Sequence, residues 1–560
     1  MRLRGVARLL LLLLATASSH AAGWTRTSSD HFEIYTTAGG PRAREALAYF
    51  EQVRGFFDRF LSLPPSTRPA TRVILFSSAS DFEPYRVSAT SAAYFQPARD
   101  HDYIVLSHLT GDAEPVIVHE YAHLAIDRSG ATYPPWLSEG LAEFFSTLVP
   151  ARGRVLLGAA PLGRVAALAQ HELLPLARLL RVTRDAPEYL ADHSGVFYAE
   201  SWALTHMLIA GERYQARVDR FLALVARGTP AAEALTAVFE TSLPDIEREL
   251  RRYITRGYFR QLSVPGDMST TGTVADTVPI DVFDANLVLA NLLAGSRGRE
   301  AQARTAFAAL ARERPDDTSL TTSRGLFEAL NGHDDDARGF LERAVRLKTR
   351  DALAIAELAR LIEPTDALRA GALLEQAVAL APADSLIRIR RASNMVSRGL
   401  GAQALDETAR IQPVSPEQQF LYFQVVANAH ALLGQFDEAA AAGTKVLDTA
   451  TTSGERRFAE GLIERVRAPA GVTDMVVGRL NSIACNGPSP VLEVITDQGI
   501  LHLVVDDPSK VLVPGGGSVD LNCGPQNRPV RVGYGRANPP RGTNGRLRFL
   551  EFKEARPPFR

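Results

Sequence analysis

The rhythm of hydrophobic and polar positions changes three times along the 560 residues. HFEIYTT (31–37) and TRVILFSS (71–78) read as short strands, and the segment around 42–60 between them puts Phe50, Phe56, Phe57 and Phe60 on the apolar side of a helix. AAYFQ (92–96) and YIVLSHL (103–109) read as a strand pair joined by a polar turn, after which the pattern turns helical near Gly111 and stays so through most of the segment to about residue 255. From about 285 to 468 the chain repeats itself: Ala303, Ala337, Ala370, Ala404 and Ala439 are spaced by 34, 33, 34 and 35 residues. Four residues on come larger apolar side chains, as at Phe307, Leu341 and Leu374, and the next turn adds Leu310, Ala344 and Ala377 to the same face. Pro315 and Pro382 close two of these helices, and GH (332–333) and GQ (434–435) mark turns within helix pairs. From 473 to 560 the pattern alternates in MVVGRL, PVLEVIT, ILHLVV, KVLVP, SVDLNC, PVRVGYG and GRLRFLEF, which predicts a small all-β sandwich or barrel. The strand count fits an SH3-like or an OB-like barrel, and the patterning does not choose between them.

The near-constant period, with a small residue where two helices meet, resembles a degenerate tetratricopeptide-repeat array of about five units. The expected layout is multidomain: an α+β domain over 23–270, a helical solenoid over 285–468 and the β domain over 473–560. Residues 1–22 read as a secretory signal, with Arg2, Arg4 and Arg8, an apolar run from Leu9 to Ala15, and small residues at the cut. That run is far short of the ~20 residues that span a bilayer, so export to a periplasm or beyond is expected, without an integral membrane segment.

A formal net charge of -1, with both signs interspersed, gives no electrostatic reason for a nucleic-acid partner. Cys485 and Cys523 are the two cysteines of the chain. In an oxidising compartment they can form one disulfide, the alternative being two buried thiols.

The sharpest chemical signal is VIVHEYAHLAI (116–126). On a helix His119 and His123, four apart, face the same way and can grip one zinc while Glu120 projects toward a water. A catalytic zinc needs a third protein ligand, and TYPPWLSEGLAEFFSTL (132–148) offers Glu139 and Glu143 one turn apart on a second helix. Either can serve.

His-Glu-x-x-His followed by Trp136, Leu137, Glu139, Gly140 and Ala142 resembles the gluzincin metallopeptidases, especially the bacterial peptidase-MA-like group. The resemblance covers about residues 30–270. It implies a zincin-like domain, one Zn2+ per chain on His119, His123 and Glu139, Glu120 as general base, and Glu143 bonded to a ligand imidazole. It extends to GVFYAESWALTHML (195–208), where Tyr198 is the candidate to stabilise the oxyanion and His193 and His206 are alternatives. It also implies an edge strand over 92–96 that pairs with extended peptide, with Tyr94 and Phe95 flanking the cleft. Two departures matter. Fifteen residues separate His123 from Glu139, fewer than in the aminopeptidase branch, and no Gly-x-Met-Glu-Asn-type stretch precedes the zinc helix. Exopeptidase activity is therefore not implied.

The function expected is an exported zinc-dependent endopeptidase acting on peptide or protein. Its alternative is a non-catalytic or weakly catalytic zinc-containing scaffold whose repeats bind partner proteins. His171-Glu172 is followed by Leu-Leu-Pro, lacks a second histidine and reads as a helix end.

Overall fold

The computed structural model describes residues 23–552 apart from 64–68, 88–90, 99–100, 108–112, 191–194, 269–275, 412–415, 451, 467–471, 486, 488, 509–510, 512–521 and 537. The expected signal, 1–22, and His193 lie outside the described residues. Contacts divide the chain into two compact units, Met1–His333 with Arg346–Lys348, and Asp334–Val345 with Thr349–Arg560.

The first unit opens with β1 (Thr25–Ser28), β2 (Phe32–Thr36), α1 (Gly40–Phe60), β3 (Thr71–Leu75), α2 (Ala79–Phe82), β4 (Ala93–Gln96) and β5 (Tyr103–Leu106). Together with β9 (Val278–Pro279), these strands form one sheet in the order β4-β5-β3-β2-β1-β9. β2, β3 and β5 run parallel, and β4 lies antiparallel on β5 at one end of the sheet. Then come α3 (Ala113–Arg128), α4 (Pro135–Phe145), β6 (Val149–Ala151), β7 (Arg154–Leu157), α5 (Leu162–Gln170), α6 (Leu176–Leu179), α7 (Pro187–Leu190) and α8 (Val196–Ala210). α9 (Val218–Ala226), α10 (Ala231–Phe239), α11 (Leu243–Arg256) and β8 (Leu262–Pro265) complete this stretch.

Alternation along the strands gives the sheet two apolar faces. Ile34, Val73, Leu75 and Ile104 pack with α1, α3, α4 and α8 in the main core. Tyr35, Ile74, Tyr94 and Val105 face the other way, where Val288, Leu289 and Leu292 of α12 (Val282–Ala294) cover them. Phe50, Phe56 and Phe57 are buried as expected, whereas Phe60, the last residue of α1, is 43% exposed and stacks on Phe56 at the helix end. The stretch from 111 to 255, expected to be mostly helical, also contains the β6–β7 hairpin. Its turn residues Arg152 and Gly153 both have positive φ, 39° and 78°, as a two-residue turn of this kind requires.

Helix pairs begin within the first unit, as α12, α13 (Glu300–Glu313) and α14 (Thr318–Leu330), and continue in the second. There they are α15 (Asp334–Arg346), α16 (Ala352–Ile362), α17 (Ala367–Leu380), α18 (Ser385–Ser397), α19 (Gly401–Thr408), α20 (Pro416–Leu432), α21 (Phe436–Thr449) and α22 (Ser453–Val466). All five alanines that mark the period are fully buried. Asp281, Asp317, Asp351 and Asp384 accept backbone N–H bonds at the starts of α12, α14, α16 and α18.

The second unit ends in a closed barrel of β10 (Asp474–Ala484), β11 (Val491–Thr496), β12 (Gly499–Val504), β13 (Gly524–Gly535) and β14 (Gly545–Phe552), in the order β10-β11-β12-β14-β13. Among the described barrel strands only β12 and β14 pair in parallel, and β10 closes the barrel on β13. This is the Greek-key arrangement of the OB type. The expected strands KVLVP and SVDLNC lie outside the described residues apart from Val511, Asn522 and Cys523. Cys485 and Cys523 are bonded, with Cα atoms 5.9 Å apart. The barrel is tied to the helices of its own unit by Arg531 of β13, which donates to the carbonyls of Ala431 and Leu432 at the end of α20, 2.8 and 3.0 Å away. No helix among the described residues is long and apolar enough to cross a membrane.

Candidate metal centre

α3 presents His119, Glu120 and His123 toward a cleft of about 810 Å³, while Tyr121, Ala122 and Ala125 anchor the helix in the main core. Pro134 and Pro135 stop the preceding segment and start α4, Pro135 lying in its first turn, where a missing N–H costs nothing. Glu139 follows one turn later, and Gly140 beside it lets α4 lie against α8. A Cβ at Gly140 would stand 2.1 Å from Thr205 Oγ1 and 2.4 Å from the Ser201 carbonyl.

His119 Nε2 and His123 Nε2 are 3.3 Å apart, and Glu139 Oε2 lies 3.5 Å from each. These edges match a tetrahedral zinc site, where ligand bonds of about 2.0–2.2 Å separate the donor atoms by roughly 3.3–3.5 Å. The surroundings suit a cation too: Glu120, Glu139 and Glu143 are all buried, and three carboxylates brought so close need positive charge nearby. Among the described residues, His119, His123 and Glu139 form a cluster able to hold a metal ion.

Each ligand is braced through its other atom. His123 Nδ1 lies 3.2 Å from Ser138 Oγ, and Tyr189 donates its hydroxyl to Glu139 Oε1 at 3.0 Å. His119 Nδ1 faces Glu143 Oε1 at 3.7 Å, an ion-pair rather than a hydrogen-bond distance, and Arg164 of α5 donates to that same oxygen. Burial pulls His119 toward neutrality, but its bond to Glu139 and the charges of Glu120, Glu143 and Glu139 outweigh this and lift it to about 9. For Glu139 burial is likewise overcome, by the charge of His123 and hydrogen bonds to both imidazoles, and its carboxyl is held well below the usual range. Glu120 goes the other way: burial raises it, despite both imidazoles and a bond from the Phe95 amide.

Of the other residues singled out from the sequence, Glu120, Glu143, Tyr198, Tyr94 and Phe95 all line the cleft. Phe95 packs toward the main core, whereas the Tyr94 ring is buried on the opposite face, its hydroxyl donating to the Tyr85 carbonyl at 2.9 Å. The Arg164 guanidinium lies over the Tyr198 ring, 5.2 Å from its centroid. His206 is elsewhere: its ring is fully buried, with Nδ1 bonded to the Tyr253 hydroxyl and Nε2 to the Gly158 carbonyl. Trp202 packs on His206 and Phe259. His171 caps the end of α5.

Ser138, Arg164 and Tyr189 were not found by sequence reasoning. Ser138 could have been, because it immediately precedes the candidate ligand. Arg164 and Tyr189 stand on ordinary helical segments and carry no local signal.

The fold and site define a multidomain protein: an α+β unit holding a three-residue metal cluster, a long stretch of paired helices and a small β barrel. No family model and no curated protein matches the chain. Solved structures that it resembles include repeat proteins and a pilus biogenesis factor. YrrB, a TPR protein with an unusual peptide-binding site, matches at TM-score 0.28 and 16% identity, over 32% of this chain and 98% of that one. PilW, a type IV pilus biogenesis factor, matches at 0.28 and 16%, over 33% and 91%. A thermophilic TPR protein of Thermus thermophilus matches at 0.26 and 18%, over 33% and 100%. Likeness at this level says nothing about the metal cluster.

Proposed function

We propose that the chain is an exported zinc-dependent endopeptidase of the gluzincin type whose helical repeats bind a protein partner or substrate. The observation that carries this reading is the triangle of His119, His123 and Glu139, with the buried carboxylate of Glu120 beside it in the cleft.

Zinc, when bound, would supply Lewis acidity and lower the pKa of a water beside Glu120. Glu120 takes a proton from that water and later gives it to the leaving amine, a role suited to a carboxyl whose pKa burial has raised. The Phe95 amide fixes its orientation. The edge strand β4 pairs with an extended peptide, and the Tyr198 hydroxyl donates to the oxygen that gains charge. Glu143, fixed by Arg164, and Ser138 steady the two imidazoles.

A second reading is the zinc-containing scaffold, with little or no catalysis. The repeat stretch favours it, since buried alanines keep the paired helices closely packed, and stacked pairs of this kind can hold a partner.

The test is zinc content and hydrolysis of an unstructured protein by the parent and by Glu120→Gln, which keeps all three ligands. One zinc in both and cleavage by the parent alone supports the peptidase. One zinc in both and cleavage by neither across a broad peptide library moves the conclusion to the scaffold, and absence of zinc from both removes the metal centre.

A further inference from the structure

The charged side chains around the metal cluster are almost all committed. Glu139 serves the imidazoles and Tyr189, Glu143 serves Arg164, and Glu120 takes the Phe95 amide. Arg164 in turn covers the Tyr198 ring. Arg184 is different. It lines the same cleft and is exposed, and it makes no hydrogen bond or ion pair among the described residues.

Its local structure keeps it so. Asp185, the adjacent acid, is bonded to the Thr183 side chain and to its own amide, which hold its carboxyl below the ordinary range, and it does not pair with Arg184. Ala186 donates its N–H to the Thr183 carbonyl at 3.0 Å, closing a turn with Arg184 inside it. Arg184 lines the cleft together with Tyr189, whose hydroxyl braces Glu139. Leu190, 55% exposed, and Tyr198 continue the same wall of the cleft. A guanidinium on such a turn, beside an apolar and aromatic wall, can receive a planar anion, and a carboxylate fits its two-pronged donor geometry.

We propose that Arg184 receives a carboxylate of the bound peptide, on the side of the cleft formed by Arg184, Tyr189 and Tyr198. The carboxylate is either an acidic side chain or the free end of the chain, and both present the same group to the guanidinium. The inference rests on the cleft being the place where peptide binds.

The experiment measures peptide binding by calorimetry to zinc-loaded Glu120→Gln, in which turnover is blocked. Three N-acetylated hexapeptides of matched sequence serve as probes: one neutral and amidated, one amidated with a single internal glutamate, and one neutral with a free C-terminal carboxylate. At least one of the two charged peptides is expected to bind about tenfold or more tightly than the neutral one, and which of them does so identifies the source. Adding Arg184→Gln should abolish the preference, while Arg184→Lys should keep part of it. Equal binding of all three, binding of none, or a preference that survives in Arg184→Gln overturns the proposal; the last would mean that the metal itself takes the carboxylate. Hydrolysis of the same peptides by the parent reports separately on the peptidase reading. A preference that depends on Arg184 without any hydrolysis would strike that reading alone.

Discussion

Tyr189 and Glu139 form the contact that fixes the third ligand of the metal cluster: the phenol donates to Oε1 at 3.0 Å, leaving Oε2 to face both imidazoles at 3.5 Å. Burial and the charge of Glu139 push the phenol far above its ordinary range, so it remains a donor at any working pH. Tyr189→Phe should keep the fold and weaken zinc binding by about 10–100-fold, the usual effect of losing an outer partner of a ligand. Competition against a chromogenic chelator measures this, and unchanged affinity would mean that packing alone orients Glu139.

Gly140 sets the spacing of α4 and α8. Gly140→Ala would drive a methyl into the Ser201 backbone and Thr205, so α4 must shift and carry Glu139 with it. A loss of roughly 1–3 kcal/mol in denaturant unfolding is expected, together with substoichiometric zinc. Full stability with full zinc would show that the two helices part without consequence.

Glu200 makes the stability of the first unit depend on pH. Its carboxylate accepts the Leu174 N–H at 2.9 Å, and burial pushes it up to about 7 from an ordinary 4.5. The folded state therefore keeps a proton that the unfolded chain has already lost between those two values. Its contribution is fully present below pH ~4.5, falls as pH rises to ~7, and stays lost above. Glu200→Gln should flatten that slope and unfold at higher denaturant than the parent at pH 8, with the two close at pH 4. Parallel pH profiles would assign the slope to other groups.

Arg531 is buried, and its guanidinium satisfies two carbonyls at the negative end of α20. Arg531→Met leaves the Leu432 carbonyl without its donor, at about 1–3 kcal/mol, and the Ala431 carbonyl with the Gly434 N–H alone. The barrel and the helices of the second unit should then unfold in separate transitions, visible as a biphasic denaturant curve. A single transition would show that the remaining packing couples them without the arginine.

The metal cluster was legible because its geometry is local. Two histidines four apart and a glutamate one turn into the next helix need only α3 and α4 to be helical. Choosing between Glu139 and Glu143 required the crossing of the helices: Glu139 Oε2 meets both imidazoles, while Glu143 is drawn to Arg164. The braces from Ser138, Arg164 and Tyr189 depend on tertiary approach, and Tyr189 lies fifty residues beyond the carboxylate it holds. The repeat phase could be read from alanines, since Ala303, Ala337, Ala370, Ala404 and Ala439 are all fully buried. A second signal, the aspartates capping α12, α14, α16 and α18, was equally present and went unread. The order of the barrel strands was not accessible, because alternation records which face of a strand is buried and not which neighbour it pairs with. The β6–β7 hairpin escaped because its turn is Arg-Gly, without the asparagine or aspartate that usually announces one.

The position of α12 bears on how the chain can be cut. This helix begins the repeat pattern, yet Val288, Leu289 and Leu292 seal the back of the sheet, and Gln96 of the edge strand β4 donates to the Leu292 carbonyl at 2.9 Å. A fragment ending near residue 270 would keep every metal ligand and lose the lining of its own sheet, presenting Tyr35, Ile74 and Val105 to water. Such a fragment should aggregate, whereas one ending near His333 keeps the sheet covered. The metal-bearing and repeat parts therefore share a helix, and neither can be inherited, deleted or transplanted along the boundary that the repeat pattern suggests.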